Sequence, residues 1–381
     1  MNVYLDAAAT TKPKKAVVEA IMPYLIDEWY NPSALYGSAS KIKKDIESAR
    51  KTIGDFINAN GSEIFFTSGG SESNCWAIQG FIKNCYSIGW HPVIITSTIE
   101  HKSINACLNE ARTEDAVCHF VPVDKDGFID EEYLEDCLSV YKNLPNVLVS
   151  IQFANNEIGT IQRIKRIANI AHKYGAIFHT DAVQAFGNIP INVKELNVDM
   201  LSASGHKIGT PKGVGFLYIK NGTKIKPLIY GSQMDGMRGG TENVPYIIGM
   251  AKAVELLQEN TERQLKLTIL RNNFISQLKS LGCSINGSLD ERLCNNISVT
   301  FFQNVSGESM VYMLDTCGIY VATGSACNSH AVEASHVLKA IGLSDEDAYK
   351  TIRITLPDDI TMNEIDKVVH EITKQIMLLS M

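Results

Sequence analysis

The strongest constraint on the fold is an alternation of short apolar runs with amphipathic helical patterns between Glu63 and Ile219. The runs are rich in β-branched and aromatic residues, and several are apolar throughout, as strands are when both faces of a parallel sheet are covered. They read EIFFT, PVIITST, NVLVSIQF, GAIFHTD, VDMLSAS and GVGFLYI. Strands alternating with helices predict an α/β fold with helices on both faces of the sheet.

A second unit follows the alternating region. After about residue 260 the pattern changes to one long helix (RQLKLTILRNNFISQLKSLG), a strand (NNISVTF), further helices and a second strand (TIRITL). This order predicts a separate, smaller α+β domain. We expect the large domain to span residues 15–259, and the smaller domain to combine residues 1–14 with residues 260–381.

Charge and composition exclude several classes of protein. The net charge of −7 over 381 residues provides no general basic field for nucleic acid, so we expect no direct nucleic-acid ligand. No apolar run reaches the ~18 residues of a membrane span, and the first residues lack the order of a signal peptide, which predicts a cytoplasmic protein without a membrane partner. The 9 scattered cysteines form no Cys-x-x-Cys pair, which indicates a reducing compartment and no metal site.

Polar residues follow four of the predicted strands. In an open α/β sheet the carboxyl ends of parallel strands form the ligand-binding crevice, so these residues could converge there. Taken singly, a histidine after a strand is more often an ordinary surface or core group, and an aspartate is usually a helix cap. The residues in question are His101, Asn156, Asp181, Gln184, His206 and Lys207.

A phosphate-type element occurs in FTSGGSESNCWAIQGF, where Gly69, Gly70 and Ser71 separate a strand from an amphipathic helix predicted to begin near Ser71. Small residues let a phosphate approach the free N–H groups of a first helical turn, where the helix dipole favours an anion. The alternative is an ordinary serine-capped helix. The stretch matches neither a Walker loop nor the G-x-G-x-x-G of a dinucleotide fold.

One cofactor would use all of these parts. Pyridoxal 5′-phosphate needs a lysine for a Schiff base, a carboxylate at its ring nitrogen, a flat group stacked on the ring, and hydroxyl and backbone donors for its phosphate. Lys207, in SGHKIGTPKG, is the candidate lysine. The alternative is a solvated turn lysine, which is what we expect of Lys212.

Motifs along nearly the whole chain carry a family resemblance. In order they are YLDAAATT, NPS, FTSGGSES, EHKS, NNEIG, HTDAVQAFGNIPI, SGHKIGTPKG, GMRGGTENV, TGSACNS and IRITL. The chain resembles the cysteine desulfurases of the NifS and IscS group, within the class V aminotransferase superfamily. The resemblance implies a large pyridoxal-phosphate-dependent transferase domain, with a mostly parallel seven-stranded sheet between helices, and a homodimer.

The resemblance also implies roles around the cofactor ring. Lys207 would hold the cofactor covalently and shuttle protons, and His101 would stack on the ring and act as acid or base. Asp181 would pair with the ring nitrogen and keep it protonated. Gln184 and Asn156 would approach the ring oxygen and the substrate.

The phosphate and the substrate carboxylate have implied ligands as well. Gly70, Ser71, Ser204 and His206 would bind the phosphate, and Thr241 would reach it from the partner subunit. Arg353 would bind the substrate carboxylate, for which its planar fork is suited. The alternative for Arg353 is a surface salt bridge, which an arginine within the apolar run TIRITL does not fit well.

Cys327 distinguishes a desulfurase from its relatives. It lies in VATGSACNSHAVEAS, whose small and polar residues predict a flexible loop between a strand and a helix beginning near Glu333. The implied reaction converts L-cysteine to L-alanine and leaves a persulfide on Cys327. The sulfur would then pass to an acceptor: an iron–sulfur scaffold, a tRNA thiolation enzyme, or the apparatus that places sulfur in the DNA backbone.

Two kinds of alternative stay open. The first is another reaction of the same cofactor, either selenocysteine cleavage or transamination, which depends less on the thiol. The second is a paralogue without activity that binds partners through its dimer surface. The chain also departs from the family pattern at four positions: Met234 and Asp235 replace a Glu and an Arg, Tyr36 replaces a His, and Pro357 replaces a Gly. We interpret these changes, at the dimer contact and the mouth of the site, as those of a specialised paralogue.

Overall fold

The computed structural model describes residues 2–302, 305–324 and 334–379. The helices are α1 (Lys15–Ile26), α2 (Gly37–Phe56), α3 (Gly70–Ser87), α4 (Lys102–Thr113), α5 (Glu131–Val140), α6 (Ile164–Lys173), α7 (Val193–Leu196), α8 (Val244–Glu259), α9 (Arg263–Ser280), α10 (Gly307–Thr316), α11 (His336–Ala340), α12 (Asp345–Tyr349) and α13 (Met362–Leu379).

The strands range from two to five residues. They are β1 (Val3–Tyr4), β2 (Ile64–Thr67), β3 (Val93–Ser97), β4 (Val117–Val121), β5 (Val147–Ser150), β6 (Ile177–Asp181), β7 (Met200–Ser204), β8 (Gly215–Ile219), β9 (Ser284–Ile285), β10 (Asn296–Thr300), β11 (Ile319–Tyr320), β12 (Ala322–Thr323) and β13 (Thr351–Thr355).

The larger sheet contains seven of the described strands, in the order β2-β8-β7-β6-β5-β3-β4. From β7 to β4 every neighbouring pair is parallel, whereas β8 runs antiparallel to both β2 and β7. The predicted fold class, a mostly parallel seven-stranded sheet, is therefore confirmed. Because β3, β5, β6 and β7 run in one direction, the loops that follow them lie at one edge of the sheet.

Helices cover both faces of this sheet, as the apolar strands require. One hydrophobic cluster packs α2, α6 and α8 against the sheet and includes the fully buried Ile53 and Phe216. A second cluster packs α3 and α4 against it and includes the fully buried Trp76 and Phe81. No helix in the described ranges is both long and apolar enough to cross a membrane.

A smaller four-stranded sheet, in the order β12-β13-β10-β9, is antiparallel at every pairing. Its hydrophobic cluster contains residues of α9, α10 and α13 together with Val3 and Leu5 from the start of the chain. The first strand, β1, pairs in parallel with β11. We propose the domain division into residues 15–259 and residues 1–14 with 260–381 because this core is separate from the other clusters.

Phe274 tests the smaller core. Its side chain is fully buried on α9, so Phe274→Ala removes packing there, and we expect a loss of about 3–5 kcal/mol in the free energy of unfolding. Urea unfolding followed by circular dichroism measures the change. The control is Leu265→Ala on the same helix, where the side chain is 64% exposed and the expected change is within about 0.5 kcal/mol. Equal effects of the two variants would contradict this assignment of the core.

Candidate active site

A cavity of about 350 Å³ lies where β3, β5, β6 and β7 end. Ten of the twelve predicted site residues line it: Gly70, Ser71, His101, Asn156, Asp181, Gln184, Ser204, His206, Lys207 and Arg353. The strand ends, the first turn of α3 and the smaller sheet therefore meet at one site. The chemical roles of these residues remain predictions, but their proximity is a property of the fold.

Lys207 lies in a short 3-10 turn, Gly205–Lys207, directly after β7. Its Nζ donates hydrogen bonds to the carbonyl oxygens of Ala8 at 2.5 Å and Ala9 at 2.8 Å. Burial, and then the positive charge of Arg353, lower the pKa of the Lys207 amine to about 8. A much larger fraction of this amine than of an ordinary lysine is therefore neutral and nucleophilic near neutral pH.

Asp181 is the last residue of β6 and only 2% exposed. Its Oδ2 accepts a hydrogen bond from Asn74 Nδ2 at 2.7 Å, and its Oδ1 accepts one from the backbone N–H of Val183 at 2.9 Å. These two donors hold the carboxylate in one orientation. Asn74 was missed from the sequence, although it lies one helical turn after Gly70 and so on the same side of α3.

His101 caps the N-terminus of α4. Its Nδ1 accepts a hydrogen bond from the backbone N–H of Ser103 at 3.2 Å and lies 2.8 Å from Ser103 Oγ. Because Nδ1 is an acceptor, the neutral ring carries its proton on Nε2. The ring is open to the cavity, but desolvation by the surrounding protein lowers the pKa of His101 and outweighs the opposing charge of Asp181, which favours a neutral imidazole with one N–H donor.

The predicted phosphate ligands surround the first turn of α3. The helix begins at Gly70, one residue before its predicted start, and no side chain caps it, so the serine-cap alternative is wrong. A Cβ on Gly70 would lie 2.5 Å from Val183 Cγ2, which explains the glycine. The buried Ser204 Oγ has no hydrogen-bond partner among the described residues. Free N–H groups and an unsatisfied hydroxyl suit a phosphate.

His206 completes this side of the cavity. Its Nδ1 lies 3.1 Å from Thr10 Oγ1. Burial, together with the charges of Lys207 and Lys212, lowers the pKa of His206 to about 4, so its ring is neutral near neutral pH. Lys212 itself is exposed, as the sequence predicted.

Arg353 lies on β13, and its guanidinium group has N–H donors that the described protein groups do not use. Its Nη2 pairs with Asp6 Oδ1 at 2.6 Å, and its Nη1 donates to the Asn156 carbonyl oxygen at 3.4 Å. Its Nε is buried and has no partner in the described part of the chain. The side chain is only 12% exposed, so the surface salt-bridge alternative is wrong. Unsatisfied guanidinium donors in a cavity suit a carboxylate ligand.

Two glutamine side chains, Gln184 and Gln152, also line the cavity. Gln184 Nε2 donates to the Ala8 carbonyl oxygen at 3.1 Å, and Gln152 Nε2 donates to Asn156 Oδ1 at 3.4 Å. Gln152 was not predicted, although it belongs to the same run after β5 as Asn156. Ala8 was also not predicted, because its contribution is a backbone carbonyl that side-chain chemistry does not reveal.

Two predicted residues remain to be placed. Cys327 lies outside the described residues. Thr241 is exposed before α8 and does not line the cavity, and its predicted contact with a partner subunit stays a prediction. The segment that carries Thr241 is tied to α3, because Arg238 forms a two-bond salt bridge with Glu72 at 2.9 and 3.2 Å.

The four departures from the family pattern also lie outside the cavity. Met234 and Asp235 have left-handed backbone conformations, with φ of 49° and 58°. Tyr36 is exposed and contacts Tyr30 edge to face. Pro357 lines a neighbouring groove. Pro357 is close to the site, because Lys207 and Gln184 line the same groove, whereas Tyr36, Met234 and Asp235 do not line the cavity.

The lowered pKa of Lys207 gives a pH-dependent test. Only the neutral amine is acetylated, so labelling of Lys207 by acetic anhydride in the cofactor-free protein should rise through pH of about 8 and then level off. Arg353→Met removes a positive charge that disfavours the ammonium form, so the midpoint should move to higher pH. Peptide mass spectrometry measures the labelling. A midpoint near that of an ordinary lysine, with no response to Arg353→Met, would contradict this account.

Comparison with known proteins identifies the family. A family model for class-V aminotransferases matches residues 3–368. The chain is 43% identical over 371 residues to a protein named cysteine desulfurase IscS from Methanosarcina thermophila, covering 97% of this chain and 90% of that one. It is similar to the solved structure of a NifS-like protein, with a TM-score of 0.92, 35% identity and full coverage of both chains. It is also similar to SspA in complex with cysteine, with a TM-score of 0.82, 35% identity, and coverage of 94% of this chain and 99% of that one. The resemblance seen in the sequence motifs is confirmed: the chain belongs to the class-V aminotransferase family.

Proposed function

We propose that the chain is a cysteine desulfurase that takes sulfur from L-cysteine, releases L-alanine and carries the sulfur as a persulfide on Cys327. The observation that carries the proposal is the close association of Lys207, whose amine has a pKa of about 8, with Asp181, His101 and Arg353 in one cavity. Relatives named cysteine desulfurase, and a similar structure described as a complex with cysteine, support the same reaction.

The residues present fit pyridoxal 5′-phosphate. Lys207 would hold it covalently, Asp181 would face its ring nitrogen, and His101 would lie against its ring. Its phosphate would take the uncapped first turn of α3 and the unsatisfied hydroxyl of Ser204. When bound, this cofactor withdraws electrons from the substrate Cα and so weakens the bond to the Cα proton.

Three side chains of the protein carry out substrate binding and proton transfer. Arg353 binds the substrate carboxylate through the donors that Asp6 leaves free. The neutral amine of Lys207 accepts the Cα proton and later returns a proton to the product. His101, with its proton on Nε2, is an acid or base for the departing sulfur.

Cys327 carries out the sulfur transfer. Its thiolate attacks the substrate sulfur, so that a sulfur–sulfur bond forms while the carbon–sulfur bond breaks, and the carbon fragment becomes alanine after protonation. The persulfide then transfers its outer sulfur to an acceptor thiol. Candidate acceptors are an iron–sulfur scaffold and a tRNA or DNA thiolation enzyme.

We further propose a homodimer in which Thr241 of one subunit reaches the phosphate site of the other. The support is the exposure of Thr241 on a segment that Arg238 ties to the first turn of α3. A cytoplasmic location is proposed because all eight described cysteines are free thiols, as in a reducing compartment.

The central test is a single incubation. Purified protein loaded with pyridoxal phosphate is mixed with L-cysteine, and we expect alanine in solution and one added sulfur on Cys327 by mass spectrometry. Cys327→Ser should abolish the persulfide, because serine provides no thiolate. An aminotransferase would keep its activity in Cys327→Ser, and a selenocysteine lyase would act on L-selenocysteine without needing the thiol. Absence of both alanine and added sulfur in the unaltered protein would remove the proposed function.

Arg353 gives a second test. Arg353→Lys loses the planar fork for the carboxylate, so we expect KM for L-cysteine to rise by roughly tenfold or more. Steady-state alanine production measures the change. The matched control is Arg263→Lys, since Arg263 also pairs with an aspartate at 2.6 Å, Asp358, but does not line the cavity. A similar rise in KM for both variants would contradict the assigned role of Arg353.

A further inference from the structure

The carboxyl group of Glu157 lies between the two ends of the segment that contains Cys327. On one side, Ser335 Oγ donates a hydrogen bond to Glu157 Oε2 at 2.5 Å. On the other side, Gly324 approaches so closely that an added Cβ would lie 2.8 Å from the same oxygen and 3.5 Å from Ser335 Cβ. One buried carboxyl group therefore binds Ser335 and lies close to Gly324, and these two described residues flank the segment that contains Cys327. We call Glu157, Gly324, Ser335 and His336 the loop anchor.

The loop anchor is well packed. Glu157 is 7% exposed and Ser335 is 6% exposed. Ser335 Oγ also accepts hydrogen bonds from the backbone N–H groups of Val337 and Leu338, so it caps α11 while it binds Glu157. Val337 and Leu338 pack in a small hydrophobic cluster with Ile99 and Ile158. A hydrogen bond between buried groups and an apolar contact thus hold α11 in place.

The loop anchor is attached to the walls of the active site. Glu157 directly follows Asn156, which lines the cavity and whose carbonyl oxygen accepts a hydrogen bond from Arg353. His336 Nε2 lies 3.0 Å from the carbonyl oxygen of Glu100, the residue before His101. The loop anchor therefore joins the chain around Cys327 to the same two loops that position the substrate-facing residues.

The short stretch of chain between Gly324 and Cys327 limits how far Cys327 can lie from the loop anchor. Cys327 follows Gly324 by three residues, and three residues span at most about 11 Å in any conformation. Ser335 is farther from Cys327 along the chain, so the position of Gly324 sets the tighter limit. Gly324 can approach the Glu157 carboxyl group only because it has no Cβ.

From these contacts we infer that Glu157 is a positioning residue for sulfur transfer to Cys327. It binds Ser335 beside the walls of the cavity and leaves room there for Gly324, and so limits how far Cys327 can lie from the substrate sulfur. Glu157 takes no part in the earlier proton removal at the substrate Cα. The inference depends on the proposed function, since it concerns the thiol step of that reaction.

The test separates the two stages of the reaction in the cofactor-loaded protein. In Glu157→Ala, the change in cofactor absorbance on adding L-cysteine should keep its rate, because that stage does not need the thiol. The appearance of one added sulfur on Cys327, followed by quenched-flow mass spectrometry, should be at least roughly tenfold slower, because small misplacements of reacting groups cost this much or more. Backbone hydrogen exchange in α11 should be faster in the same variant.

Conservative and matched variants define the role. Glu157→Gln should keep the persulfide rate within about twofold, because its amide oxygen accepts the hydrogen bond from Ser335. Ser335→Ala should slow persulfide formation as Glu157→Ala does. The control is Ser344→Ala, since Ser344 caps the five-residue helix α12 in the same way but does not contact Glu157. It should leave the persulfide rate unchanged.

Three results would contradict either the inference about Glu157 or the proposed function, and they can be told apart. Persulfide formation at the normal rate in Glu157→Ala would overturn the inference and leave the proposed function standing. Loss of the absorbance response in both Glu157 variants would also overturn it, since Glu157 would then support the cavity as a whole. Failure of the unaltered protein to form any persulfide would remove the proposed function, and the inference with it.

Discussion

The parallel run of β3, β5, β6 and β7 is the constraint on which the site depends. Because these strands point the same way, the residues that follow them lie at one edge of the sheet. His101, Asn156, Asp181 and Lys207 are far apart along the chain, yet they line one cavity. The antiparallel strand β8 packs beside β7 and leaves this edge unchanged.

The start of the chain closes the cavity and links it to the smaller sheet. Backbone carbonyls of Ala8 and Ala9 accept hydrogen bonds from Lys207, and Asp6 pairs with Arg353. Just upstream, β1 pairs with β11 of the smaller domain. One segment therefore contacts the residue proposed to hold the cofactor and the residue proposed to bind the substrate carboxylate, which ties their relative positions to the packing of the two units.

Burial explains much of the chemistry of the site. The low dielectric around Lys207 disfavours its ammonium form, and the nearby charge of Arg353 adds to this effect. Desolvation likewise lowers the pKa values of His101 and His206, which favours their neutral forms. The same exclusion of water strengthens the hydrogen bonds that orient Asp181 through Asn74 and that hold Ser335 on Glu157. Desolvation of polar groups in and beside the cavity thus affects both their protonation and their geometry.

By itself, the sequence determined the fold class and most of the residues around the cavity. The strands are recognisable as apolar runs, and the site residues as the polar residues that directly follow them. Only the tertiary structure revealed the contributions of Asn74, Asp6, Gln152 and Glu157. Asn74, Asp6 and Glu157 act through partners that are distant in sequence, and Gln152 acts through Asn156, whose own place in the cavity depends on the fold. The pKa of Lys207 was also decided there, since it depends on burial and on Arg353, a residue from a strand of the other sheet. Such effects arise from distances in space, which no local sequence pattern encodes.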